Sequence, residues 1–365
     1  MTDRTNSDTT LMTAALTALE ELLPPQWQVE RAQGPAQGKD LVDEHFYVKD
    51  RSGSGRALLV DARPQTTPAE LERSYTSSLA RRMRADAGSP ILVIAPYLSP
   101  RSRTVLEKAE INYLDLTGNA RIAIDYPGLS ILTQGAQRDP TPRKRPDRGI
   151  AGPVAGRIVR TLADVEPPYS VKDIAALADV SPGYCSRTLQ ALEREALVRR
   201  NSRGTVEEVD WPALLRRRGS AVPLFDPRRT KAYIARSGTQ RVLETLAAGD
   251  DAGYAVTGSF AAARIRAVTA PVGLTVYAVQ PDGIADTLGL LSAEEGSDVR
   301  LVLPADEGVF DRSTVVDGIR WVAPSQIVVD CLGGSGRMPQ EGEAVLEWMI
   351  EHENEWRVPA ADTAT

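Results

Sequence analysis

The stretch YSVKDIAALADVSPGYCSRTLQALEREALV (Tyr169–Val198) contains two helical patterns joined by a short polar turn. Ser170 and Asp173 have the spacing of a capping box, which predicts that a helix begins directly after Ser170. Ser181 followed by Pro182 predicts the start of a second helix, because serine caps the free N–H groups and proline suits the first turn. The stretch is therefore expected to fold as two helices that meet at a tight turn.

Two further elements flank this stretch. On its N-terminal side, Val154, Ile158 and Leu162 recur at helical spacing and predict a helix with one apolar face. On its C-terminal side, VRRNSRGTVEEV (Val198–Val209) has the pattern of strand, turn and strand. Three helices followed by a hairpin are typical of a winged helix-turn-helix, in which the last helix reads DNA.

The helix that starts after the turn has two expected faces. Cys185, Leu189 and Leu192 form a stripe that should pack on the other two helices. In the preceding helix, Ile174 and Leu177 should also face inward. The stripe left for solvent or DNA consists of Tyr184, Arg187, Thr188 and Ala191.

The charge distribution favours binding of double-stranded DNA by this region. Residues 143–231 contain 18 Lys and Arg against 11 Asp and Glu, whereas residues 232–365 contain 9 against 20. A local basic region of this kind attracts phosphates. The candidate DNA-contacting residues are Ser170, Lys172, Ser181, Tyr184, Ser186, Arg187, Gln190, Arg199, Arg200 and Arg203. A homodimer reading two half-sites is expected, and a winged helix used only for protein contacts is the alternative.

The composition limits the classes of function. The chain has 365 residues, of which 42% are hydrophobic and 25% charged. Two cysteines and two histidines argue against a disulfide framework, a zinc site and histidine-based catalysis. The start of the chain is polar and no apolar run is long enough for a membrane helix, so a cytoplasmic, nucleoid-associated protein is expected. We expect no metal, no cofactor and no enzymatic activity.

The N-terminal part alternates between strand and helix patterns. Its apolar runs Ala57–Val60 and Ile91–Ala95 suit the central strands of a mixed sheet. The order of elements resembles the restriction-endonuclease-like fold, in which an upstream acid and an acidic-x-Lys triplet place Mg²⁺ beside the attacking water. The triplet here is Asp61-Ala62-Arg63, and the candidate upstream acids are Asp40, Asp43 and Glu44. Arginine is not equivalent to the lysine, so this domain is expected to be inactive.

The C-terminal part resembles a nucleotidyltransferase without its catalytic acids. The strand Tyr254–Thr257 runs into Gly258-Ser259, a helix follows, and a second strand returns at Leu274–Val279. In the enzymes the second strand carries two carboxylates that hold Mg²⁺, but here it reads Thr275-Val276-Tyr277. Asp298 and Asp330 are expected on other strands, and one remaining acid does not make a two-metal site. Dimerisation or the sensing of a small ligand is the expected role.

The expected fold class is therefore a multidomain α/β and α+β protein. The expected segments are a restriction-endonuclease-like domain (1–136), a basic Pro/Arg-rich linker (137–152), a winged helix-turn-helix (153–222) and a nucleotidyltransferase-like domain (223–365).

The string APYLSPRSRTVLEKAEINYLDLTGNARI (Ala95–Ile122) adds a family resemblance. Within it, Gly118 and Asn119 are expected to form a tight turn between two strands, with positive φ available to both residues. Together with the winged helix and the transferase-like tail, the string resembles transcriptional regulators grouped with the AbiEi-type antitoxins of type IV toxin–antitoxin systems, over about Leu22 to Trp348. Typical members begin with the winged helix, whereas this chain has about 150 residues before it.

This resemblance implies a sequence-specific DNA-binding regulator that represses its own promoter. It also implies that Gly258 and Ser259 belong to a transferase-like fold without catalysis. Two alternatives stay open: an antitoxin that counteracts a nucleotidyltransferase toxin, and a nuclease guided by the winged helix. A toxin or a small-molecule effector is accordingly a possible further partner.

Overall fold

The computed structural model describes residues 2–32, 44–75, 89–141, 150–249, 253–293 and 295–360. The chain is a mixed α/β protein, which confirms the expected class. It divides into two compact units, Met1–Pro146 with Arg194–Ala196, and Asp147–Glu193 with Leu197–Thr365. The sequence interpretation placed a domain boundary between residues 222 and 223, and both sides of that position belong to the second unit.

The first unit is built around one mixed sheet. Its elements are α1 (Thr2–Leu22), β1 (Trp27–Ala32), β2 (Glu44–Asp50), β3 (Gly55–Ala62), α2 (Pro68–Tyr75), β4 (Ile91–Ala95), α3 (Pro100–Lys108), β5 (Asn112–Asp115), β6 (Ala120–Ile124) and β7 (Leu129–Thr133). The strands lie in chain order, with β3, β4 and β5 parallel and the outer neighbours antiparallel. The two apolar runs expected in the centre are β3 and β4, as predicted.

The side chains of β4 pack alternately on the two faces of this sheet. Leu92 and Ile94 belong to the core formed with α1, whereas Val93 and Ala95 belong to the core formed with α2 and α3. All four are buried, which explains why β4 is a continuous apolar run instead of an alternating one.

The turn between β5 and β6 is held by a buried carboxylate. Asp115 accepts hydrogen bonds from the backbone N–H groups of Leu98 (2.9 Å), Thr117 (2.9 Å) and Asn119 (3.1 Å). Of the two turn residues, Gly118 takes a positive φ, of 96°, and Asn119 does not. Asn119 instead turns inward, and its amide donates to the same carboxylate at 2.9 Å.

The second unit begins with the helix–hairpin segment, residues 153–209. Its elements are α4 (Pro153–Asp164), β8 (Val165–Glu166), α5 (Val171–Leu177), α6 (Pro182–Arg194), β9 (Val198–Arg200) and β10 (Val206–Val209). The capping box of α5 and the start of α6 at Pro182 are confirmed. Ile158, Leu162, Ile174, Cys185, Leu189 and Leu192 all lie in its core.

Two expectations about this core were wrong. Leu177, expected to face inward, is 38% exposed, because α5 ends there. Thr188 is only 4% exposed although it was placed on the outer stripe. An apolar helix face includes positions i, i+3, i+4 and i+7, and Thr188 takes the i+3 position after Cys185.

A second mixed sheet follows in the same unit. The remaining elements are α7 (Trp211–Gly219), β11 (Thr230–Ile234), α8 (Thr239–Ala248), β12 (Tyr254–Thr257), α9 (Gly258–Ile265), β13 (Leu274–Ala278), α10 (Pro281–Thr287), β14 (Leu291–Ser292), β15 (Val299–Val302), a 3₁₀ helix (Glu307–Phe310), β16 (Thr314–Val316), β17 (Ile319–Trp321), α11 (Pro324–Leu332), α12 (Met338–Glu351), α13 (Glu353–Trp356) and β18 (Val358–Pro359). The strand order is β14-β11-β15-β13-β12-β17-β16. No helix within the described residues is long and apolar enough to cross a membrane.

The last strand of the second unit pairs with a strand near the beginning of this unit. Strand β18 pairs in parallel with β8, with Val358 opposite Val165 and Pro359 opposite Glu166. Strand β8 directly follows α4, so the last described strand is hydrogen-bonded beside the first helix of the helix–hairpin segment.

We expect Asp115→Ala to lower the free energy of unfolding of the first unit by about 3 kcal/mol, because three backbone N–H groups, two of them buried, lose their acceptor. Denaturant unfolding of the purified protein measures this change. Asp125→Ala removes an exposed carboxylate from the turn between β6 and β7 and should change stability by less than about 0.5 kcal/mol. Equal stability of the two variants would contradict the structural role of Asp115.

Candidate nucleic-acid interface

Helix α6 has a polar face opposite its buried stripe. Ser181, Ser186, Arg187 and Gln190 are exposed, and Tyr184 is half-buried. The Ser181 hydroxyl accepts a hydrogen bond from the backbone N–H of Tyr184 at 3.3 Å, which caps the helix. The Arg187 guanidinium lies 5.9 Å from the centre of the Tyr184 ring. The structure thus presents these five candidate contact residues on one helix.

The start of α5 carries the remaining helical candidates. The Ser170 hydroxyl accepts from the Asp173 N–H at 3.3 Å, and the Asp173 carboxylate accepts from the Ser170 N–H at 2.8 Å. The hydrogen bond from the Ser170 backbone N–H holds the pKa of the Asp173 carboxyl below its ordinary value. Lys172 is exposed beside this cap. The link from α5 to α6 passes through Asp179, whose φ of 49° lies in the left-handed region.

Two of the three hairpin arginines have acidic partners on the protein. Arg199 donates to Glu208 at 2.6 Å and to Glu207 at 3.2 Å. Arg200 donates to Glu193 at 2.5 Å. The Arg199 pairs are exposed, and exposed pairs contribute little stability. The Arg200–Glu193 pair is partly buried.

Arg203 differs from these two arginines. It is exposed at the tip of the hairpin, and within the described residues its guanidinium has no acidic partner. Arg203 is therefore the hairpin arginine whose charge no neighbouring carboxylate offsets within the described residues.

The place of the expected transferase site is filled by buried side chains. The carboxylate of Asp330 accepts hydrogen bonds from Thr257 (2.6 Å), Tyr277 (2.8 Å) and Gln326 (2.7 Å). Burial raises the pKa of Asp330 to about 6, although the three hydrogen bonds act in the opposite direction. Asp330 lies in helix α11, so its expected position on a strand was wrong.

The Gly258-Ser259 corner is also enclosed. Gly258 takes a φ of 66° at the junction of β12 and α9. Ser259 is 4% exposed, and its hydroxyl donates to Glu341 at 2.5 Å. The thioether of Met338 packs over Gly258, where an added Cβ would come within 3.1 Å of its methyl group. In the structure this corner is therefore covered by the protein and does not form an open anion site.

The triplet of the first unit has an internal counter-charge. Asp61 accepts from Arg63 at 2.7 and 3.0 Å and from the Tyr75 hydroxyl. Burial, with Asp61 nearby, raises the pKa of Tyr75. The Asp61 carboxylate is thus already bound by a guanidinium and a phenol.

The upstream acids lie at the edge of what the structure describes. Asp40 and Asp43 lie outside the described residues, whereas Glu44 begins β2, opposite Val60 of β3. Within the described residues, no three His, Cys, Asp or Glu side chains come together in a way that could hold a metal ion.

Some residues of these clusters were missed by sequence reasoning. Glu208 lies opposite Arg199 in the strand register, so the predicted hairpin was enough to predict this ion pair. Arg160 had no such signal. It lies in α4 and donates to Gln326 at 3.0 Å, a partner 166 residues further along the chain.

Comparison with protein-family models, with curated proteins and with solved structures found no match to this chain. The exposed face of α6, the hairpin and the buried clusters are therefore the features that bear on function.

The raised pKa of Asp330 predicts a pH-dependent stability. Because its folded pKa of about 6 exceeds the ordinary 3.8, the associated stability is fully present below pH 3.8 and is lost as the pH rises through 6. Relative to Asp330→Asn, the wild-type free energy of unfolding should fall by about 1 kcal/mol between pH 5 and pH 7.5. Denaturant titrations at the two pH values measure this, and a constant difference between the proteins would contradict the assignment.

Proposed function

We propose that this chain is a sequence-specific double-stranded DNA-binding transcriptional regulator, with the helix–hairpin segment acting as a winged helix-turn-helix. The observation that carries the proposal is the exposed polar face of α6, which lies opposite a fully buried stripe. The capped N-terminal turn of α6 begins at Ser181, and Ser186, Arg187 and Gln190 follow it on the surface. A helix of this kind fits the major groove with its N-terminal part nearest the bases.

Each exposed residue type has a defined chemistry toward DNA. Arginine can donate two hydrogen bonds to guanine, and glutamine pairs in the same way with adenine, so Arg187 and Gln190 are the proposed base-reading residues. Ser181, Lys172 and Arg203 are suited to phosphates, which fix the position of the protein on the duplex. Ser170 and Tyr184 lie beside these contacts, and Arg199 and Arg200 would first have to leave their glutamates.

The two larger folds are proposed to be scaffolds. The restriction-endonuclease-like assignment of the first unit and the transferase-like assignment of residues 223–365 are part of this proposal. The Asp61 carboxylate is held by Arg63, and the Gly258-Ser259 corner is covered by Met338 and Glu341, which supports a role without catalysis. We further propose a cytoplasmic, nucleoid-associated homodimer whose two recognition helices read half-sites about 34–36 Å apart.

Binding of the purified protein to DNA tests this function. The protein is titrated against fragments of its own upstream DNA at two salt concentrations, with unrelated DNA as competitor. Selective binding that weakens with salt is expected, because phosphate contacts release counterions. Binding that is equally strong for unrelated DNA would contradict a sequence-specific regulator.

Arg187→Ala should lower the affinity for the selected DNA by roughly tenfold or more and relax the preference at one base pair, because one base contact is worth about 1–3 kcal/mol. Competition binding with single-base variants of the site measures both effects. The matched control is Arg241→Ala, which removes an exposed arginine of α8 paired with Glu244. Equal affinities of the two variants would contradict base reading by Arg187.

Glu208→Gln should raise DNA affinity by roughly threefold at low salt, because it removes one of the two carboxylates that bind Arg199 and a charge that repels phosphate. The gain should shrink as salt rises, since the effect is electrostatic and exposed. Glu244→Gln is the control for the loss of one exposed negative charge elsewhere. Unchanged or weaker binding of Glu208→Gln would show that the hairpin does not approach DNA.

A further inference from the structure

Two arginines from the C-terminal part of the second unit cap the end of α4. The guanidinium of Arg357 donates to the carbonyl oxygens of Ala163 (2.8 Å) and Val165 (3.1 Å). Arg312 donates to the carbonyl oxygen of Asp164 at 3.0 Å. The last carbonyls of a helix have no partner within the helix, and cations are favoured there. Both arginines therefore supply bonds that α4 itself lacks.

A third arginine, Arg160, lies within α4 and connects this helix to α11. Arg160 is 7% exposed and donates to Gln326, which in turn donates to Asp330. The space around it is tight, because a side chain at Gly308 would collide with its guanidinium. We call Arg160, Arg312 and Arg357 the arginine clamp.

The clamp is supported by the end of the chain. Arg312 also donates to the carbonyl oxygen of Trp356 at 3.0 Å, and its φ of 56° lies in the left-handed region. Trp356 packs edge-on against Trp211, with ring centres 4.8 Å apart. Together with the β8–β18 pairing, these contacts fasten the last turn of α4 to residues 353–360. A non-glycine residue in the left-handed region persists where its surroundings hold it.

Helix α4 shares its core with the helix that carries the DNA-reading face. Ile158 and Leu162 of α4 and Cys185 and Leu189 of α6 are all completely buried in one cluster. Close-packed cores transmit displacements, so a change in the tilt of α4 would move α6 as well.

We propose that the arginine clamp sets the orientation of α4, and through it of α6, so that DNA selectivity depends on residues that do not contact DNA. This inference rests on the proposed function. Arg160 and Arg357 are less than a tenth exposed, so neither has the surface needed to bind phosphate. They are positioning residues, and the C-terminal part of the chain is an integral part of the DNA-reading unit.

The test compares the full-length wild-type protein with Arg357→Ala, Arg357→Lys and Arg312→Gly. The Arg312→Gly variant removes the side chain and favours the left-handed backbone conformation that residue 312 already adopts. Residue 312 is also more exposed than Arg357, so this variant should fold even if Arg357→Ala does not. Affinity is measured for the selected DNA and for unrelated DNA, each over a range of salt concentrations. Arg337→Ala, at an exposed position before α12, is the matched control.

Arg357→Ala and Arg312→Gly should each lose at least tenfold in affinity for the selected DNA, with binding to unrelated DNA within twofold of wild type. The salt dependence should be unchanged, because no phosphate contact is removed. Arg357→Lys should recover part of the loss, because an ammonium can still donate to one of the carbonyls.

Wild-type selectivity in folded Arg312→Gly would overturn the inference while leaving the proposed function intact. A reduced salt dependence in the clamp variants would also overturn it, because it would indicate direct phosphate contact. If the wild-type protein itself shows no selectivity, the proposed function fails, and the clamp then has no role in DNA reading.

Discussion

The burial of Asp330 is the constraint on which the second unit depends. A carboxylate removed from water is costly unless hydrogen bonds replace its hydration. Thr257, Tyr277 and Gln326 supply three such bonds, from β12, β13 and α11. Arg160 extends the same network into α4. Strands β12 and β13, helix α11 and helix α4 must therefore keep their relative positions, or the buried carboxylate loses its hydrogen-bond donors.

The buried groups around Asp330 also occupy the place where the sequence predicts a transferase-like site without catalytic acids. The polar side chains at the ends of β12 and β13 face other protein groups instead of a substrate, and Ser259 is bound to Glu341. A site filled in this way is closed to a substrate, but its hydrogen bonds connect the strands rigidly to the neighbouring helices. Under the proposed function, that connection orients the DNA-reading helix. The acidic C-terminal part of the chain is not expected to bind phosphate.

Local signals allowed much of the second unit to be predicted. The capping box at Ser170, the start of α6 and the hairpin depend on neighbouring residues, so their patterns are legible in the sequence. Positions that depend on distant packing were predicted less well: Thr188 is buried by its helical neighbours, and Asp330 lies on a helix. The contact between Arg357 and α4 joins residues 194 positions apart and left no periodic signal. The candidate DNA-contacting residues themselves stay predictions.

The most direct test of the account is selection of bound sequences from a random pool of duplex DNA by the full-length protein. The account predicts one enriched motif, in two symmetry-related halves about one helical turn apart. It also predicts that the motif changes at single positions when Arg187 or Gln190 is replaced. Recovery of no motif by the wild-type protein, or of a motif indifferent to both residues, would contradict the claim that α6 reads DNA.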